Sequence, residues 1–119
     1  MSTHAVLPEG FETVEDVFTY GYCHALALVL NERTGWDIVG LYNPRDGYAD
    51  HFLVRRPDGV LVDVMGERSA EDVLKAWGEV FYSVREYASE VLWAESERGD
   101  MEDPRDVWLL AQETAQSLL

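Results

Sequence analysis

The chain has 119 residues, with 23 acidic side chains against 9 basic ones and a formal net charge of -14. That length builds one domain over residues 1–119, because two would each have too little apolar surface to bury. With 47% hydrophobic and 12% aromatic residues it is a folding sequence, and its pI near 4.3 sets it against direct contact with nucleic-acid phosphates. No run of about 18 apolar residues is present, so no membrane partner is expected. The start, Met1-Ser2-Thr3-His4, has neither the basic region nor the apolar run of a signal peptide, and the single Cys23 excludes an internal disulfide. The expected compartment is the reducing cytoplasm.

Residues 1–19 read as a loosely organised leading segment broken at Pro8-Glu9-Gly10. Gly21 then opens the most apolar run of the chain, Tyr22 to Leu30, which closes on Asn31-Glu32-Arg33-Thr34-Gly35. Such a run predicts a buried central helix, with Arg33 in its last turn and Gly35 just past its end. Trp36 to Tyr42 reads as a short strand, and Asn43-Pro44-Arg45-Asp46-Gly47 as a turn.

Asp50 to Arg56 and Val60 to Met65 predict a β-hairpin around Pro57-Asp58-Gly59, with Pro57 entering a type I turn and Gly59 left-handed. A three-residue loop pairs Arg56 with Val60. It thereby sets His51 opposite Met65, with Asp63 one diagonal step away on the same face. A loop one residue shorter would send Asp63 to the other face. Phe52, Val54, Val60, Val62 and Val64 form an apolar stripe on one side of the hairpin. Leu53 and Leu61 accompany His51 on the other, so both sides are covered.

Ser69 and Asp72 resemble a capping box, opening a helix to about Trp77 before Gly78. The following stretch is expected to hold at most a short strand over Glu79 to Arg85. A helix running to about Glu97 then follows on Val84, Tyr87, Ala88, Val91, Leu92 and Glu95. Asp103 as cap and Pro104 at the first helical position begin a last helix through Val107, Leu110, Ala111, Ala115 and Leu118. The predicted class is α+β: a small antiparallel sheet against a buried central helix, with further helices at the C-terminal end.

One constellation has the residue types for chemistry. Cys23 stands at the N-terminal edge of the predicted helix, where the dipole and free N–H groups favour a thiolate. His51 and Asp63 offer a base and a group to orient it. The three converge if the helix lies on the His51 face of the hairpin, and not if it lies on the other. His24 points about 100° away from Cys23 on a helix and reads as structural. No C-x-x-C or H-x-x-x-H spacing supports a metal site from Cys23, His24, His51 and Asp63, and no cofactor is implied.

Gly21-x-Cys23-x-x-x-Ala27, the apolar helix ending at Gly35, His51-Phe52-Leu53-Val54 and Gly59-Val60-Leu61-Val62-Asp63 together resemble the core of the transglutaminase-like branch of the papain-like cysteine enzymes. The resemblance covers about residues 20–66. It implies a papain-like core in which Cys23 is the nucleophile, His51 the general base and then acid, and Asp63 the residue fixing the imidazole. Its reaction would be hydrolysis or deamidation of an amide in a peptide or protein. No Gln precedes Cys23 as papain-type enzymes require, so Tyr20 or the Cys23 backbone N–H would serve the oxyanion.

The acidic excess is concentrated among Glu9, Glu12, Glu15 and Asp16 and from Glu86 to Asp106. Such stretches usually keep a small protein soluble, and they also favour a basic substrate or partner. The alternative function is a non-enzymatic acidic module that imitates nucleic-acid charge toward a basic protein, as small phage or mobile-element inhibitors do. Trp36, Trp77, Trp93 and Trp108 read as core or as an interface, which leaves the oligomeric state open.

Overall fold

Five antiparallel strands in the order β4-β3-β2-β1-β5 organise the structure, a computed structural model that describes residues 7–8, 10–78, 82–96 and 105–119. The strands are β1 (Asp37–Asn43), β2 (Tyr48–Arg55), β3 (Leu61–Asp63), β4 (Gly66–Arg68) and β5 (Ser83–Glu86). Helices α1 (Val14–Asp16), α2 (Cys23–Thr34), α3 (Ala70–Ala76), α4 (Ser89–Ser96) and α5 (Arg105–Leu118) surround them. The class is the α+β architecture expected from the patterning. Among the described residues no helix is long and apolar enough to cross a membrane.

Helix α2 is buried from Ala25 to Leu30, as an element apolar nearly all round must be. It stops at Gly35, whose left-handed φ of 75° lets its N–H reach the Asn31 carbonyl at 2.8 Å. The α2 side of the sheet carries Ile38, Phe52, Val54 and Val62, packed with α2 and with Leu92, Val107, Leu110, Ala111 and Ala115. On the opposite side Val39, Leu41, Leu53 and Leu61 pack with Val73 of α3 and with Leu74 and Trp77. Helix α5 shows the expected periodicity, and Gln112 accepts a 2.9 Å hydrogen bond from Arg33 of α2. Its predicted cap, Asp103-Pro104, lies outside the described residues, as do Glu9, Glu97, Asp100 and Glu102.

The β2–β3 register is the one a three-residue loop dictates: Val54 faces Val62, Arg55 faces Leu61, and the Arg56 N–H donates to the Val60 carbonyl at 2.8 Å. Three features depart from the sequence reading. The strand expected to run to Met65 ends at Asp63, because the chain turns on Val64 and Met65 and returns as β4 from Gly66 at φ 96°. His51 therefore has no strand partner in Met65, which is 56% exposed. The short strand allowed within Glu79 to Arg85 is present as β5, where Val84 pairs with Leu41, and the helix expected to include Val84 and Tyr87 begins only at Ser89.

The third departure lies ahead of α2. Far from being loose, the chain is helical from Val14, capped by Thr13, whose hydroxyl accepts from the Asp16 N–H at 3.1 Å. It widens into a π-helix over Val17–Gly21, closed by the 2.7 Å bond from the Tyr22 N–H to the Val17 carbonyl. Val17 and Phe18 turn into the core while Tyr20 stays 77% exposed.

Candidate active site

Strand β2 is not a regular partner for β1. Gly40 pairs with Phe52 and Tyr42 with Ala49, so Leu41 alone faces both Asp50 and His51. This is a β-bulge, the device that re-aims a side chain within a ladder. His51, next to Phe52, points to the α3 side by ordinary alternation, and the bulge returns Ala49 to the α2 side on which Phe52 packs. Asp50, the neighbouring bulge residue, is tied down by the Tyr82 hydroxyl at 2.6 Å and the Asn43 amide at 2.9 Å. Gly40 opposite is required by crowding. A Cβ there would stand 2.7 Å from the Tyr87 ring and 3.1 Å from the Phe52 ring.

His51 is 1% exposed and Asp63 4%. The ring donates from Nε2 to Asp63 Oδ2 at 2.9 Å, the diagonal contact that the hairpin register predicts. Asp63 accepts three more bonds: the Met65 N–H reaches Oδ1 at 2.9 Å, and Arg68 Nη2 reaches Oδ1 at 3.1 Å and Oδ2 at 2.9 Å. The bond to Met65 explains the short strand, since an Asp side chain that captures the N–H two residues on makes a turn. On its other flank the imidazole stacks on Trp77, with centroids 5.1 Å apart and planes 30° apart. Trp77 in turn meets Tyr82 edge-on at 6.1 Å.

Burial alone would lower the His51 pKa. The hydrogen bond to Asp63 opposes it, followed by hydrogen bonding and charge from the Cys23 thiol and by the Asp63 charge, and together they raise it to about 9. Burial likewise pushes the Asp63 carboxyl up, but the hydrogen bond and charge of His51 and the charge of Arg68 hold it below the ordinary carboxylate range. Both groups are thus held in their ionised forms at neutral pH. His51 Nδ1 is buried without a partner in full hydrogen-bond geometry. With Nε2 committed to Asp63, Nδ1 is the nitrogen left for the thiol.

The sequence made the convergence of Cys23, His51 and Asp63 depend on which face of the hairpin the helix covers. Helix α2 packs on the Phe52–Val54–Val62 side, opposite to His51, yet Cys23 acts on the His51 ring. Cys23 is the first residue of α2, so its influence on the ring comes from the helix end, not from the helix flank. Beside the pair lies a cleft of about 490 Å³, lined among others by Glu15, Asp16, Tyr20, Met65, Arg68 and Trp77, with the buried His51 and Asp63 at its floor. Tyr20 thus opens onto the same cleft, whereas half-buried Cys23 is not one of its lining residues. His24 makes a tilted ring contact with Tyr22 at 6.2 Å.

Arg68, Trp77, Glu15 and Asp16 were not singled out for this site by the sequence. Gly66 was the available signal for Arg68: a glycine after Val64-Met65 is where a tight turn would fold the chain back and set Arg68 beside Asp63. Among the described residues no group of three His, Cys, Asp or Glu side chains is placed to hold a metal ion. No protein-family model, no curated protein and no solved structure matches the chain.

Proposed function

We propose that the protein is a cysteine hydrolase or acyl-transfer domain of papain-like, transglutaminase-like type, acting on an amide of a peptide or protein. The observation that carries this reading is the buried His51–Asp63 hydrogen bond beside a cysteine heading a twelve-residue helix. The Cys23 thiolate attacks the amide carbonyl carbon, and the oxyanion takes a hydrogen bond from the Cys23 N–H or the Tyr20 hydroxyl. The His51 imidazolium gives its proton to the leaving nitrogen, the C–N bond breaks, and a thioester on Cys23 remains. His51, now neutral, deprotonates a water that attacks the thioester. A carboxylic acid leaves and gives its proton to solvent, and the thiolate–imidazolium pair is restored. Ammonia as the leaving group makes the reaction a deamidation, and an amine in place of water makes it a transfer.

Asp63 holds the ring with Nδ1 toward the thiol and stabilises the imidazolium, as the third member of a triad does. Arg68 restrains Asp63 in turn. A reducing compartment such as the cytoplasm suits an enzyme that depends on one free thiol.

The test is the rate at which iodoacetamide alkylates Cys23 at pH 7, followed by mass spectrometry. The folded protein is expected to react about tenfold or more faster than its urea-unfolded form, and His51→Ala to lose that advantage. Equal rates for folded and unfolded chains, or a His51→Ala variant as reactive as the parent, would remove the enzyme reading.

A further inference from the structure

The charges around the cleft do not cancel evenly. At its floor Asp63 is matched by His51 and by Arg68, whose Nη2 is committed to both carboxylate oxygens. At its wall Glu15 and Asp16 have no basic partner among the described residues, and Glu15 is exposed. Thr13 and the π-helix after it fix where these two acids stand, so their placement over the cleft is part of the fold. Tyr20, 77% exposed, and the Trp77 ring add aromatic surface to the same walls. His51, 1% exposed, closes the floor beneath them.

We infer that Glu15 and Asp16 select a peptide substrate with a cationic side chain, lysine or arginine, next to the amide that Cys23 attacks. The inference rests on the acyl-transfer reading above. An alkyl stem would lie along Tyr20 and Met65 while its charged end meets the two carboxylates, the division of labour that long basic side chains adopt. A neutral isostere keeps the first contact and loses the second. The net charge of -14 would also draw such a substrate in from a distance.

Three peptidyl chloromethyl ketones, identical except for lysine, norleucine or glutamate beside the warhead, test this by their rates of Cys23 alkylation. The lysine probe is expected to react about three- to tenfold faster than the norleucine probe at low salt, as two exposed ion pairs allow, and the glutamate probe slower than both. The lysine advantage should shrink at about 0.5 M salt and fall to near unity in E15Q/D16N. Because the ratio is taken within one protein, a general change in thiol reactivity cancels.

Equal lysine and norleucine rates in the parent protein, or a ratio that E15Q/D16N leaves unmoved, would overturn the inference. The underlying reading is judged separately with the norleucine probe. If that probe alkylates His51→Ala as fast as the parent, the acyl-transfer reading fails and takes the inference with it. If His51→Ala is slow and the ratio is one, only the selectivity is lost.

Discussion

Toward α2 the sheet buries Ile38, Phe52, Val54 and Val62 in a cluster of buried residues that is apolar throughout, whereas toward α3 a much smaller apolar cluster is continued by His51 and Asp63. Removing an ion pair from water costs several kcal/mol per ion, which good hydrogen bonding only partly returns. The α2 side supplies apolar burial on the scale that can offset this cost, at roughly 25 cal/mol per Å². The contrast is a division of labour: one face holds the fold, and the other holds charged groups in fixed positions.

The largest effect on stability should therefore come from the α2 face. Leu30→Ala, at a fully buried position, is expected to cost about 2–5 kcal/mol in urea unfolding, by the same amount at pH 6 and pH 9. Asp63→Ala attacks the other face and leaves His51 and Arg68 without their counter-charge. Its expected cost is about 3 kcal/mol at pH 6, less at pH 9 where His51 is losing its proton. An Asp63→Ala loss that is equal at both pH values would show that the ring carries no charge and would erase the distinction between the faces.

The parent protein offers the same comparison without mutation. The folded-state pKa of His51 is raised from 6.5 to about 9, so between these values the folded form binds more protons than the unfolded one. Its contribution is complete below pH 6.5 and lost as pH rises through 9, by up to about 3 kcal/mol. Asp63 has the opposite sign, with a lowered folded-state pKa, so its contribution is present above its ordinary value near 3.8 and fades as pH falls below it. Melting temperature should thus peak between about pH 4 and 6.5 and decline on the alkaline side. His51→Gln should flatten that alkaline decline. Lys75→Ala, which removes only the exposed pair with Glu71 on α3, marks the bottom of the scale at about 0.5 kcal/mol or less.

How much of this was legible in the sequence follows from how local each signal is. The helix from Cys23 to Gly35 and the hairpin around Pro57-Asp58-Gly59 rest on neighbouring residues, so apolar patterning and turn chemistry locate them. Loop length fixed the parity that joins His51 to Asp63. The π-helix was not legible, because Val17 and Phe18 are buried by packing with distant elements and no local spacing announces it. Nor was the end of β3 at Asp63. There a carboxylate captures the Met65 N–H and overrides an apolar run that otherwise favours a longer strand. The side on which α2 lies depends on the whole assembly, and the body of that helix packs on the face opposite to His51.

The bulge in β2 is a single extra residue in an otherwise continuous register. Phe52 pairs with Gly40 and Ala49 with Tyr42, so a strand lacking only Asp50 would place His51 opposite Leu41 and run on as an unbroken ladder with the same partners on either side. Asp50 is in this sense the added residue of the ladder, and what it adds is an anchor for Tyr82 and Asn43 next to the His51 ring. The ladder on either side does not depend on the extra residue, which serves the anchor beside the imidazole.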